Sequence, residues 1–396
     1  MDNTQFLILL CFCVAGLYYT GISMWGWIIT IITLYFINSK YFTEDQLAKL
    51  YYVDTPLSSH VIQHCERLTE PFRPPYWARN THVQTAFPMF FPKPKFNFKR
   101  EILKLSDGGE LTLDYGVTGV DSLPHDAPVF VALPGLNGDS DYVIYLCKEA
   151  ALRGFRPVVF NKRGLAGSQL ATPKLQSFGD ASDFREVILF LRKSFPNSKI
   201  VAVGVSAGSG LLASYLGEFG ASCEISSAVC NCPGYELKRL LNNLPQPYNA
   251  VMLYGLKQML KRHEGILSKV VDVDAAYKAK NLVEFEELVY CKIYNYKDME
   301  EYYKYNEPGR SLETSVPPVL CINSADDPVC LEEFFPYDIF RQLPNAMLAV
   351  TAEGGHCGFF ERGTWNRWAD DLALDYIEAT MNFDMSKITK NHVASQ

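Results

Sequence analysis

From Pro128 onward one pattern repeats along the chain: a short, uniformly apolar run rich in β-branched residues, then a longer stretch with helical spacing. Val129-Phe130-Val131-Ala132-Leu133 leads into a helical stretch through Leu146 and Ala151. Pro157-Val158-Val159-Phe160 leads into one through Phe184, Val187, Ile188 and Leu191, and Ile200-Val201-Ala202-Val203 into one over residues 207–216. A strand that is apolar on both sides must be covered on both faces, and parallel neighbours need a crossover between them. The alternation predicts an α/β architecture with a mostly parallel sheet between two helix layers.

The remaining elements fit around this block. Upstream, residues 101–105 and 111–115 flank Asp107-Gly108-Gly109 and read as an antiparallel hairpin. After Pro233-Gly234 the rhythm breaks: residues 235–314 are rich in Leu, Lys, Glu and Tyr, read as helical and contain no obvious strand. Two more apolar strands follow, Val319-Leu320-Cys321-Ile322 and Met347-Leu348-Ala349-Val350, then a terminal helix holding Trp365, Trp368, Leu372 and Tyr376. The expectation is an eight-stranded sheet in a core of residues 100–232 and 315–385, with a helical cap insertion at 233–314 and a polar tail at 386–396. Residues 41–99, with Pro71, Pro74, Pro75, Pro88, Pro92 and Pro94, read as an irregular connector.

Residues 1–40 stand apart. No Asp, Glu, Lys or Arg occurs between Asn3 and Ser39, and residues 6–37 are nearly all apolar. A hydrocarbon core of ~30 Å takes roughly 20 helical residues, so this run is long enough to span. It starts on Asp2 rather than a basic n-region and exceeds a signal-peptide core, so the expectation is an uncleaved single-pass transmembrane helix. Trp25, Trp27 and Tyr35 suit the headgroup region. Orientation stays open, since Lys40 is the cation nearest the segment and Glu44 and Asp45 follow it. An endomembrane such as the endoplasmic reticulum is the expected location. The net charge of −7 gives no reason to invoke nucleic acid, which would call for clustered Lys and Arg. The eleven cysteines form no paired CxxC set, and several lie in apolar runs as core thiols do.

The chemistry concentrates after the Ile200 run. Gly204-Val205-Ser206-Ala207-Gly208 places a serine on a strand-to-helix turn, where a nucleophile is exposed above a sheet edge and the backbone two residues to either side is crowded. Such a serine needs a base, and the base an orienting carboxylate, in the chain order Ser, Asp or Glu, His. Of the histidines after Ser206, His392 lies in the tail and His263 in the insertion. His356, in Gly354-Gly355-His356, directly follows the last strand. The acid comes from Asn323-Ser324-Ala325-Asp326-Asp327-Pro328. Counting from Ser324 gives Asp327 and from Asn323 gives Asp326. Asp327, beside the proline, is preferred for the imidazole, Asp326 for bracing the loop, and Glu236 is a distant third. Two backbone N–H groups are expected to hold the oxyanion: that of Ala207, and that of Leu136 in Leu133-Pro134-Gly135-Leu136-Asn137-Gly138, where Pro134 has none to give.

Several segments carry a close resemblance: His82-Val83-Gln84-Thr85, Leu133-Pro134-Gly135-Leu136, Asn161-Lys162-Arg163-Gly164, the serine turn, Asn323-Ser324-Ala325-Asp326-Asp327 and Gly354-Gly355-His356-Cys357-Gly358-Phe359. Over roughly residues 70–380 the chain resembles the membrane-anchored α/β-hydrolase-domain family (the type 4 family of its superfamily). That family includes phosphatidylcholine-hydrolysing members and acylglycerol lipases, and the stretch from Val271 through Tyr303 is similar to the phospholipase-like branch. The resemblance implies the α/β-hydrolase fold, a triad of Ser206, Asp327 and His356, and esterase action on lipid acyl chains with no metal or cofactor. Two departures qualify it. No HxxxxD acyltransfer motif is present, His356 having Glu361 at that spacing. The turn also continues Ala207-Gly208-Ser209-Gly210 where relatives often carry a larger residue and Gly-Gly. A membrane-bound phospholipase is the leading expectation. Its rivals are an acylglycerol lipase or small-ester hydrolase with the same triad, and a non-catalytic scaffold binding lipid or protein. Protein partners are unknown.

Overall fold

The computed structural model describes residues 24–41, 44–90, 92–120, 123–364 and 366–388. Nine strands form one sheet: β1 (Lys49–Tyr52), β2 (Phe98–Lys104), β3 (Glu110–Gly116), β4 (Val129–Leu133), β5 (Arg156–Asn161), β6 (Ile200–Val205), β7 (Ile225–Asn231), β8 (Val319–Ser324) and β9 (Ala346–Thr351). Their order is β1-β9-β8-β7-β6-β4-β5-β3-β2. The block from β5 to β9 is parallel, as its two-sided apolar strands require, and β2, β3 and β1 add antiparallel edges.

The expected count of eight strands is corrected to nine by β1, which lies inside the segment expected to be irregular. Lys49-Leu50-Tyr51-Tyr52 pairs antiparallel with β9, Lys49 opposite Val350. That segment also carries a helix, Pro56–His64, whose Thr55 cap accepts the Ser58 N–H and whose Pro56 occupies the first turn, where no N–H is needed.

Alternate residues of β4 serve opposite faces. Val129, Val131 and Leu133 join one core with helices Ser182–Ser194 and Ala207–Phe219, while Phe130 and Ala132 join a second with helices Ile144–Leu152 and Trp368–Thr380. Fully burying side chains of this size contributes roughly 1.5–3 kcal/mol each. One charged cluster sits within the first core's edge. Arg163, almost fully buried, bonds Asp183 at 2.6 Å and Asp107 at 2.8 Å, fixing the turn that follows β5.

Between β7 and β8 the chain is helical, including Leu237–Asn243, Gln246–Arg262, Val273–Lys278 and Met299–Asn306, with no strand among the described residues. In this layer burial pushes the Glu286 carboxyl up to about 8, and the Tyr302 hydroxyl donates to it.

The expected membrane segment falls largely on residues 6–23, which lie outside the described residues, as do Trp365 and residues 389–396 of the tail. Met24–Tyr41 is helical, and the Tyr35 hydroxyl accepts the Asn80 N–H at 3.2 Å. No helix among the described residues is long and apolar enough to cross a membrane.

Candidate active site

In open α/β sheets ligands sit beyond the carboxyl ends of the strands, where the strand order reverses. Here β4 is followed by β5 on one side and by β6 on the other, and the loops after β4, β6, β8 and β9 converge above that point. Ser206 follows β6 and is held at φ 55°, ψ −123°, a conformation that side chains rarely adopt. The flanking glycines make this turn possible. A Cβ on Gly204 would collide with the Ser209 backbone, and one on Gly208 with the carbonyls of Leu133 and Pro134.

The structure brings Ser206, His356 and Asp327 together. Ser206 Oγ lies 2.7 Å from His356 Nε2, and His356 Nδ1 lies 2.8 Å from Asp327 Oδ2. The other oxygen, Asp327 Oδ1, accepts the N–H groups of Val329 at 2.7 Å and Cys330 at 2.9 Å, so the carboxylate cannot swing away. Asp326 points elsewhere: its Oδ1 accepts the Gly355 N–H at 2.9 Å and braces the histidine loop, and burial lifts its carboxyl to about 6. Glu236 faces Arg239 at 3.2 Å, His263 Nε2 meets the Gly164 carbonyl at 2.8 Å, and His392 lies outside the described residues.

Burial by itself would favour a neutral His356. The Asp327 carboxylate beside the ring outweighs it and raises the imidazole well above the ordinary histidine value near 6.5. Only the neutral ring can accept the serine proton. In wild type kcat/KM is therefore expected to fall as pH drops through an apparent pKa above 6.5. Removing the carboxylate charge with Asp327→Asn should move that limb to lower pH. A kcat/KM profile with its acid limb at or below pH 6 in wild type would contradict this assignment.

The N–H groups of Leu136 and Ala207 find no protein acceptor among the described residues, and both residues line the cleft that holds Ser206 and His356. This cleft is otherwise largely apolar. Leu237, Leu240, Leu241, Met252 and Leu282 of the helical segment line it together with Phe178.

Several contributors carried no assigned role in the sequence. Thr85 Oγ1 accepts the His356 N–H at 2.9 Å, Gln84 Oε1 accepts the Phe360 N–H at 2.9 Å, and the Ser324 hydroxyl donates to the Gly355 carbonyl at 2.8 Å. The His82-Val83-Gln84-Thr85 segment is thus a brace for the histidine loop, a function visible only once residues some 270 positions apart are in contact. Lys162, just past β5, is buried and donates to the carbonyls of Pro134 at 2.9 Å and Gly135 at 2.6 Å. Burial holds its amine down at about 7. Three thiols, Cys232, Cys330 and Cys357, also crowd His356, grouped as Cys232-His356-Cys357 and Asp327-Cys330-His356. Both ring nitrogens are already engaged by Ser206 and Asp327.

A strained serine at a strand-to-helix turn, relayed through histidine to aspartate, defines a serine hydrolase site on an α/β sheet. Residues 128–363 match the family model described as alpha/beta hydrolase fold. The chain is 31% identical over 330 residues to phospholipase ABHD3 of Mus musculus, covering 80% of each chain. It is 33% identical to protein ABHD15 of Homo sapiens, covering 78% of this chain and 69% of that one. It is also 27% identical to monoacylglycerol lipase ABHD2 of Homo sapiens, covering 86% and 87%. Among solved structures, an esterase of Pyrococcus furiosus is similar with a TM-score of 0.47 and 16% identity, covering 72% of this chain and 92% of that one. The chain belongs to the α/β-hydrolase-domain family, near its phospholipase branch, and is a carboxylic ester hydrolase.

Proposed function

We propose that this protein hydrolyses acyl esters of membrane lipids, phospholipids of the phosphatidylcholine type foremost, through an acyl-enzyme on Ser206. The observation that carries this reading is the apolar cleft opening directly on Ser206 and His356. Each methylene buried in such a cleft contributes roughly 0.8 kcal/mol, which favours a long acyl chain over a small ester. Similarity to a protein named phospholipase ABHD3 supports the phospholipid choice.

The chemistry follows from the distances. His356 Nε2 takes the Ser206 proton as Oγ attacks the ester carbonyl, and the imidazolium that forms faces the Asp327 carboxylate. The tetrahedral oxyanion is held by the Leu136 and Ala207 N–H groups. Collapse expels the alcohol, which takes the proton back from Nε2 and leaves the acyl group on Oγ. Water, deprotonated by the same nitrogen, then releases the fatty acid. A scaffold that only binds lipid would need no such relay, and the assembled contacts weigh against that reading. The helical segment 233–314 serves as the cap over the cleft. The charge-free run of residues 6–37 supports attachment to the membrane that contains the substrate.

Fatty acid release should be measured with the full chain and mixed micelles presenting phosphatidylcholine or monoacylglycerol with matched acyl chains. The expected result is at least about tenfold higher kcat/KM on the phospholipid, a difference of ~1.4 kcal/mol in transition-state binding. The opposite preference would replace this reading with the acylglycerol lipase, which similarity to monoacylglycerol lipase ABHD2 favours.

A further inference from the structure

The loop after β4 supplies one of the two oxyanion donors, and a loop peptide can point either its N–H or its carbonyl into a site. The peptide between Gly135 and Leu136 is such a unit. Because a trans peptide is planar, its C=O and N–H point in opposite directions, and fixing one fixes the other. Lys162 Nζ holds the Gly135 oxygen at 2.6 Å and the preceding Pro134 oxygen at 2.9 Å. Lys162 is buried, only 7% of the residue being exposed, and no carboxylate pairs with its amine among the described residues. An amine buried with carbonyls alone is costly to maintain, so its placement against this one loop calls for a reason beyond packing.

We infer that Lys162 is the positioning residue of the oxyanion hole: by anchoring the Gly135 and Pro134 carbonyls it keeps the Leu136 N–H aimed at the oxyanion over Ser206. With the anchor gone, the Gly135–Leu136 peptide is free to rotate. In the rotated state a carbonyl oxygen would face the developing negative charge, repelling what the N–H attracts. The anchor also polarises the peptide, since a donor bound to a carbonyl strengthens the N–H on the other side of the same unit. The backbone just before this peptide is also held by helix Ala207–Phe219, where the Leu133 and Pro134 carbonyls lie so close to Gly208 that no Cβ fits there. The loop is clamped between helix Ala207–Phe219 and Lys162, and its one cleft-facing donor is set by that clamp. Lys162 reaches no reacting atom itself. Its effect passes through the Leu136 peptide.

This rests on the hydrolase reading, and the test separates the two. Lys162→Met keeps a chain of similar length without donors, whereas Lys162→Gln keeps two N–H donors, on a chain one bond shorter, directed at the same carbonyls. Each is compared with wild type in kcat and KM on one ester substrate, in affinity for a trifluoromethyl ketone whose hemiketal oxyanion mimics the intermediate, and in melting temperature. Loss of one oxyanion donor typically lowers kcat by ~10²–10³. Lys162→Met should accordingly lower kcat about 10²-fold, leave KM within about threefold, and weaken the ketone by the same factor as kcat/KM. Lys162→Gln should recover most of both. The inference is overturned if Lys162→Met keeps kcat within about threefold, if kcat falls without the ketone affinity, or if Gln is as impaired as Met. If Met does not yield a folded chain, the Gln variant decides: near-wild-type kcat and ketone affinity support the inference, and a loss of both at unchanged melting temperature overturns it. A wild-type chain that hydrolyses no ester contradicts the hydrolase reading instead, before any variant is compared.

Discussion

Ser206→Ala should lose ester hydrolysis by about 10⁴-fold or more while the chain stays folded. Mutating the nucleophile of a triad removes the covalent route entirely, and what remains comes from the oxyanion donors and substrate binding alone. The backbone should tolerate the change. The turn geometry is set by Gly204, Gly208 and the register of β6 with β4 and β7, none of which depends on Oγ. The hydroxyl's recorded partner is the His356 ring, which keeps its second bond to Asp327 when Oγ is lost. Comparing kcat/KM with far-ultraviolet circular dichroism checks both halves. A variant that retains more than about one hundredth of wild-type activity would assign the chemistry to another residue.

The second large effect separates two adjacent aspartates. Asp327→Asn should lower kcat by about 10⁴-fold, the size seen elsewhere when a triad carboxylate becomes an amide. Its neutral side chain neither stabilises the imidazolium nor enforces the tautomer that leaves Nε2 free to accept. Asp326→Asn should stay within about tenfold of wild type, because an asparagine oxygen can still accept the Gly355 N–H that Asp326 now takes. Assaying kcat for both variants at one alkaline pH keeps the His356 titration from confounding them. An active Asp327→Asn beside a dead Asp326→Asn would exchange the two roles.

The sequence made parts of this site legible and hid others, for physical reasons. The serine turn is local: two glycines at fixed spacing between a buried strand and an apolar helix state the backbone requirement within five residues. The central strands announce themselves because both faces must be apolar. β1 does not. It is a four-residue edge strand whose outer side meets solvent, and its pairing comes from Val350 and its neighbours, some 300 residues away. Asp326 and Asp327 differ by one position, and what separates them is the turn in which Val329 and Cys330 N–H groups fix Asp327 toward the ring. Lys162 was hidden most fully. In the sequence it is only one position of the Asn161-Lys162-Arg163-Gly164 segment, and its burial against the carbonyls of another loop exists only in the folded chain. The brace from Gln84 and Thr85 to the histidine loop has the same origin, polar residues whose partners are distant in sequence.

The most direct measurement is the mapping, by peptide mass spectrometry, of a fluorophosphonate adduct on the full chain while its ester hydrolysis is followed. A serine raised on a strained turn and hydrogen-bonded to His356 should be phosphonylated at Ser206 alone, with hydrolysis lost in proportion to labelling. An adduct on another residue, or continued hydrolysis by a chain fully labelled at Ser206, would contradict the assignment of Ser206 as the nucleophile.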